Sequence, residues 1–420
     1  MNNFLWLLLA VLALALSWFA ESAILAWVAC VIFLMALISW IQVRFLPQLE
    51  VNRILSAAHL HPGEKLRVWV RLRMPRRHWG WLLASDAAPP LPLQGNRGVI
   101  LGPAQAKEVG FSYTVKATRR GYYAIGPLSL RAGDSFGFAE ARQVMLEAEH
   151  ITVFPRVVEL QRGRLRRAAG PGELQTLRRT FEDTTRPAGI RDYRSGDPLR
   201  RIHWRATAHL GRPKAKLYDV CTSLQVMMAL NLYRPDYPPG PAEADRTSEL
   251  AISLTASLGN HLLGVGQRVG LVSNGLDVKE REGFLREAGV SLLPESVARI
   301  SDELAQRQRI VLAPNRSPER PLEMLSQLAR LQVCGGRPFD ALLEEIRRTI
   351  SWGEMVVAVT PALDGAGVEA LTGLTRAGFS VFVIVVGDSF LAARTHLQLA
   401  AAKIASQRVT HEEEIGGLFA

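Results

Sequence analysis

Two residues able to move a proton, Asp197 and His203, lie six positions apart among Arg191, Arg194, Arg200, Arg201 and Arg205. A carboxylate and an imidazole can serve as a general acid/base pair, and guanidinium groups can hold an anionic substrate group. The same residues also have a structural use. Gly196-Asp197-Pro198 reads as a turn, and Asp197 can bond Arg191, Arg200 or Arg201 in bidentate pairs, with Ile202 and Trp204 buried against a sheet. No nucleophile accompanies the pair, which favours the structural or partner-docking use.

The positive charge is concentrated here. Residues 161–219 hold fifteen Lys/Arg and six Asp/Glu, a net of +9 (15 − 6), against +11 for all 420 residues. Such an excess suits an acidic partner: anionic lipid, an acidic protein face or nucleic acid. Nucleic acid ranks last, because no exposed aromatics are expected to interleave the charge and no reader motif is present.

Other chemistry finds no support. There is no phosphate loop of the form G-x-x-x-x-G-K-[ST], so ATP hydrolysis by this chain is not expected. Gly270-Leu-Val-Ser-Asn-Gly275 is one residue too long for a nucleophile elbow, and His411-Glu-Glu-Glu414 lacks the second His of a zinc protease. Cys30, Cys221 and Cys334 show neither metal-ligand nor redox spacing, and an odd count suits a reducing compartment. The expectation is a non-enzyme without cofactor.

The elements that would position these residues fall into five segments. Residues 4–43 are almost wholly apolar, broken only at Glu21-Ser22. One helix of that length would measure about 60 Å, twice a hydrocarbon core of roughly 30 Å. Two spans, 4–20 and 23–42, therefore predict a transmembrane helical hairpin over 1–45. Arg44 and Arg53 follow the second span, which places both ends and all later residues in the cytoplasm. Residues 46–157 alternate with period two, as in Leu66-Arg-Val-Trp-Val-Arg-Leu72, between Gly- and Pro-marked turns; this predicts an antiparallel β-sandwich. A basic connector with the arginine run occupies 158–219. Val-rich strands alternate with helical stretches over 220–405, predicting an α/β doubly wound parallel sheet. The residues 406–420 read as a mobile tail. The fold class is thus multidomain α+β.

The pattern Arg191-x-Tyr193-x-x-Gly196-Asp197-x-x-Arg200-Arg201-Ile202-x-Trp204, followed by Ala208, Gly211 and Lys216, resembles the signature of a bacterial family known as domain of unknown function fifty-eight. The resemblance implies a membrane hairpin, a β domain and a von Willebrand factor A-like domain. It also implies a partner, a MoxR-type AAA+ ATPase. In von Willebrand A domains a divalent metal binds where Asp-x-Ser-x-Ser follows the first strand. Here Asn231 stands in the place of the first Asp, Tyr233 follows where serine is needed, Arg234 brings a cation, and Asp364 is displaced. Too few hard oxygen ligands remain, so no metal is expected at this degenerate site.

Together these readings describe a membrane-anchored cytoplasmic scaffold at the bacterial inner membrane, working with the ATPase on a client complex. Arg191, Tyr193, Gly196, Asp197, Arg200, Arg201, His203, Trp204 and Lys216 are its candidate docking residues. The alternatives are an enzyme centred on Asp197 and His203 and a nucleic-acid binder using the basic connector.

Overall fold

The computed structural model describes residues 8, 11, 12, 15, 18, 23–44, 49–74, 81–102, 108–136, 140–160, 182–194, 202–220, 225–288, 294–349 and 354–418. They divide into two compact units, Met1–Phe154 and Pro155–Ala420. The sandwich therefore ends at Phe154, three residues short of the expected boundary.

The first unit begins with helix α1, Ala23–Arg44, which carries no charge before Arg44. Among the described residues, no helix is long and apolar enough to cross a membrane. The other expected span, 4–20, falls mostly outside the described residues, so the hairpin is not shown.

Among the described residues eleven strands follow: β1 (Glu50–Leu55), β2 (His59–Leu60), β3 (Lys65–Arg73), β4 (Trp81–Asp86), β5 (Leu93–Gly95), β6 (Gly98–Leu101), β7 (Glu108–Lys116), β8 (Gly121–Ile125), β9 (Leu128–Gly133), β10 (Glu140–Leu146) and β11 (Glu149–Val153). They form two antiparallel four-stranded sheets, β1-β3-β7-β5 and β10-β9-β4-β6, and a smaller sheet β2-β11-β8 in which β2 runs parallel to β11. The sequence of β3 dictates its role. Leu66, Val68, Val70 and Leu72 are buried while the residues between them are exposed, as a period of two requires. These side chains share one core with Leu82 and Ala84 of β4 and Leu128 and Leu130 of β9. Each such leucine contributes about 1.5–3 kcal/mol.

One ionic group lies inside that core. Arg53 Nη1 donates to Asp86 at 2.8 Å and Nε to Glu149 at 3.1 Å, while the Tyr113 hydroxyl donates to the other Asp86 oxygen at 2.7 Å. Burial pushes the Asp86 carboxyl up, against the pull of Tyr113 and Arg53. The Arg53 guanidinium lies so close to Gly126 that a Cβ there would collide with it.

In the second unit, β12 (Glu182–Asp192) and β13 (Lys214–Val220) make an antiparallel ribbon around the short helix α2 (Trp204–Leu210). The α/β sheet then uses β14 (Gln225–Leu230), β15 (Arg268–Ser273), β17 (Ile310–Asn315), β19 (Met355–Thr360), β20 (Ser380–Val386) and β21 (Ala405–Val409), in the order β17-β15-β14-β19-β20-β21. A separate small pair joins β16 (Leu276–Asp277) and β18 (Leu331–Gln332). The helices are α3 (Pro241–Gly264), α4 (Val278–Ala288), α5 (Pro294–Arg307), α6 (Arg320–Arg330), α7 (Phe339–Thr349), α8 (Gly365–Arg376), α9 (Phe390–Ala401) and α10 (Glu412–Ile415).

The sheet is mixed rather than wholly parallel: β17 pairs with β15 antiparallel, and the other pairings are parallel. Every residue of β19 is buried, because the sheet is covered on both sides. Met227 and Ala229 pack with Phe339 and Leu371 from α7 and α8. Met228 lies beside α3 at Gly259, where a Cβ would collide with Met324 of α6. The buried hydroxyls of α3 are satisfied locally: Thr255 and Ser257 donate to carbonyls four residues back, at 2.7 and 2.6 Å.

The carboxyl-terminal segment corrects the expectation of a mobile tail. Ala405–Val409 pairs in register with Phe382–Val386, and Ile415 and Leu418 are buried. Arg156 also reaches Glu412 at 2.8 Å, so both ends of this unit's chain meet there.

Candidate functional site at the sheet switch point

Numbered within the sheet, the strands run 3-2-1-4-5-6, so the order reverses between β14 and β19. Ligand sites in open α/β sheets lie beyond the carboxyl ends of the strands at such a reversal. Here that position holds a polar group centred on Asn231, the residue following β14, which is fully buried.

Asn231 uses every hydrogen-bonding position of its amide. Nδ2 donates to Asp236 Oδ2 at 2.7 Å and to Thr360 Oγ1 at 3.0 Å. Oδ1 accepts from the Tyr233 amide at 3.0 Å and from Asn274 Nδ2 at 3.1 Å. Those four contacts match the two donors and two lone pairs of a carboxamide. Around it, Asn274 accepts from the Leu232 amide at 2.7 Å and Thr360 donates to the Ala362 carbonyl at 2.7 Å. Tyr237 donates its hydroxyl to the Asn231 carbonyl at 2.8 Å. One asparagine thus links the ends of β14, β15 and β19.

Asp236 is the titratable group of this cluster. Burial pushes its carboxyl up to about 6, opposed by the Asn231 hydrogen bond and assisted by the charges of Asp364 and Asp340. Asp364 is already engaged: it caps α8, accepting from the Gly367 amide at 2.8 Å. Tyr233 bridges to Cys334, whose thiol burial pushes up to about 11, and Arg234 is exposed. These donors do not fit a divalent ion. The Asn231 amide has no lone pair left over, Asp364 faces its helix, and among the described residues no cluster of His, Cys, Asp or Glu could hold a metal.

Of the three residues expected here, Asn231 sits at the centre, Tyr233 touches it through its backbone, and Asp364 stands at the next helix. Asp236, Asn274, Tyr237 and Thr360 escaped the sequence reading. Asn274 and Thr360 carried a usable signal, since each is the polar residue at or just beyond the end of an apolar strand run.

The arginine-rich module presents a second surface. Its ribbon aligns Ile190 with Lys216, Arg191 with Ala215 and Asp192 with Lys214. Lys214 Nζ reaches Asp192 at 2.6 Å, and this hydrogen bond holds the Asp192 carboxyl below its usual range. Arg191 donates to the Asp192 carbonyl at 3.0 Å, and the Tyr193 amide to that of Pro213 at 2.9 Å. Ile202 is buried and bridges to Ala215. His203 caps α2, its Nδ1 accepting from the Ala206 amide at 3.1 Å. Gly211 ends the helix with φ of 64°, a left-handed conformation that suits glycine.

Trp204 corrects an expectation. It is 69% exposed, not buried against a sheet. The ribbon's contact is filled by Ile202, and the chain turns away at the His203 cap, leaving α2 without a buried residue. Gly196, Asp197, Arg200 and Arg201 lie outside the described residues, as do residues 161–181 of the basic connector.

Residues 189–282 match the family described as "Protein of unknown function DUF58", so the chain carries a domain of that family there. No curated protein matches the chain. Among solved structures, the cupredoxin domain of amoB from Nitrosocaldus yellowstonii is 14% identical, with 30% of this chain and 99% of that chain covered and a TM-score of 0.19. A FixG-related protein from Vibrio parahaemolyticus is 6% identical over 26% of this chain and 98% of that one, at a TM-score of 0.18. Cwp6 from Clostridium difficile is 9% identical over 87% of this chain and 55% of that one, at a TM-score of 0.16.

Proposed function

We propose that the protein is a membrane-anchored scaffold that docks a partner protein through the β12-α2-β13 module. The observation that carries this reading is Trp204, 69% exposed on a helix that buries none of its residues, inside the 189–282 match. Leu210 at the other end of that helix and Ile190 on the ribbon are also exposed, at 49% and 46%. Exposed aromatic and apolar groups beside arginines have the composition of an interface hot spot. His203 supports docking over catalysis, since its Nδ1 is occupied as a helix cap.

The partner class follows the family resemblance: a MoxR-type AAA+ ATPase acting on a client complex. The α/β unit reads as von Willebrand A-like, supported by its 3-2-1-4-5-6 order and antiparallel third strand. In this domain the Asn231 hydrogen bonds replace a metal centre. The anchor is α1 with the apolar residues before it, at the bacterial inner membrane with the later domains in the cytoplasm. Support comes from the apolar groove along α1, lined by Ala23, Ile24, Trp27, Val28, Val31 and Ile32. Ile24 and Trp27 are 77% and 74% exposed, which suits lipid contact.

The test is a pull-down from membrane extracts with the tagged full chain, comparing wild type, Trp204→Ala and Asp197→Ala by mass spectrometry. Recovery of an AAA+ ATPase with wild type and its loss with Trp204→Ala is the expected result. Equal recovery with all three removes the module as the docking surface, and no ATPase with any removes the scaffold reading.

A further inference from the structure

We infer that the β-sandwich makes its own contact with the bilayer surface through Phe136, in the turn between β9 and β10. The inference rests on the membrane-anchored reading of α1. Gln42, two residues before the end of α1, accepts a hydrogen bond from the Ser135 amide at 3.1 Å. The turn is therefore tied to the last turn of the apolar helix, and Phe136 is the next residue. Its own amide donates to Asp134 at 2.9 Å, and Asp134 is buried, so the backbone leading into Phe136 is held. A contact made from backbone already held loses less conformational freedom when it forms.

Phe136 nevertheless leaves 43% of its surface exposed. Two more aromatics gather at this level. Trp40, in the last turns of α1, is 44% exposed. Trp81 lies across Gly133 so closely that a Cβ there would collide with the indole. Aromatic rings at the end of an apolar helix, where the first charge appears at Arg44, occupy the position of an interfacial belt. The bilayer is the occupant this geometry favours, because the turn is continuous with the helix that would enter the membrane. Through Phe136 the sandwich is held at the headgroup level.

The experiment uses the full chain in vesicles of phosphatidylcholine and phosphatidylglycerol, with an environment-sensitive fluorophore on one cysteine at a time. The sites are native Cys30 in α1, Phe136→Cys, and Lys65→Cys as the distant control, with the remaining cysteines replaced by alanine. Lys65 begins β3, whose other end, Arg73, pairs with Glu50 at the start of the sandwich. Eight residues of strand, about 27 Å, separate the two ends. Lipids carrying a spin label near the headgroup should quench the Phe136→Cys fluorophore about twofold more than the Lys65→Cys one, with a blue-shifted emission. Equal quenching at the two sandwich sites, with Cys30 still quenched by a deep label, overturns the contact and leaves the anchor intact. An unquenched Cys30 fluorophore overturns the anchor and the inference together.

Discussion

Asn231 and Asp236 are joined side chain to side chain at 2.7 Å, a neutral amide donating to a carboxyl group that burial holds near pH 6. The pairing sets a sign for the pH dependence of stability. The folded-state value, about 6, stands above the ordinary 3.8. Between these values the folded chain holds a proton that the unfolded chain releases, so this group's stabilising contribution is full below about pH 4 and is lost as pH rises through 6. Asp236→Asn keeps an acceptor for Asn231 and removes the charge. Above pH 7 it should stabilise the second unit by about 1 kcal/mol, the shift being discounted for partial exposure. Thermal unfolding of the full chain in detergent at pH 4 and pH 8 checks this: the variant's advantage should grow with pH and be largest at pH 8.

Asn231→Asp makes the opposite prediction. The substitution restores the carboxylate that a metal site would want, but places it against Asp236 and removes the donors to Asp236 and Thr360. The expected cost is about 2–4 kcal/mol at pH 8, and less at pH 5 where one carboxyl can take a proton. Denaturant titrations at both pH values measure it, and an unchanged midpoint would contradict the bonding described for Asn231.

Arg53 and Asp86 form a pair in which both side chains are fully buried. Asp86→Ala strands the guanidinium and the Tyr113 hydroxyl together, and should cost about 3 kcal/mol, with Glu149 limiting the loss. Tyr113→Phe removes one hydrogen bond and should cost about 1 kcal/mol. Differential scanning calorimetry of the full chain distinguishes the two.

Trp204 and Ile202 separate docking from folding. Trp204→Ala alters an exposed side chain and should change stability by less than about 0.5 kcal/mol while abolishing partner capture. Ile202→Ala opens a cavity beside Ala215 and should cost about 2 kcal/mol. Unfolding curves run beside the pull-down give both readouts from the same preparations.

Much of this architecture is legible in the sequence, for identifiable reasons. Leu66–Leu72 alternates because one face of β3 is wet, and Met355–Val359 is continuously apolar because both faces of β19 are covered. Ala405–Val409 offered no such signal: as an edge strand it pairs on one side only, and its residues are mostly half-buried. The direction of β17 was equally hidden, since Ile310–Asn315 has the same short apolar start whichever way it runs. The start of α3 carries little signal, because its first turns are polar and only Pro241 marks it. At the candidate site, position alone identified Asn231. Asp236 became part of it through the turn that brings it back to Asn231, a tertiary relation with no pattern along the chain. The Trp204 reading failed because a tryptophan among arginines suggests burial, while Ile202 two residues earlier already filled the space.

The ribbon and the central strand are close neighbours along the chain: only residues 221–224 separate Val220 at the end of β13 from Gln225 at the start of β14. A force applied to the ribbon would therefore load the strand that ends at Asn231. That strand is gripped on both sides by parallel neighbours, so a pull along its axis shears their hydrogen bonds together instead of unzipping them one by one. A load on the module would thus pass along the chain to a strand held by a neighbour on each side.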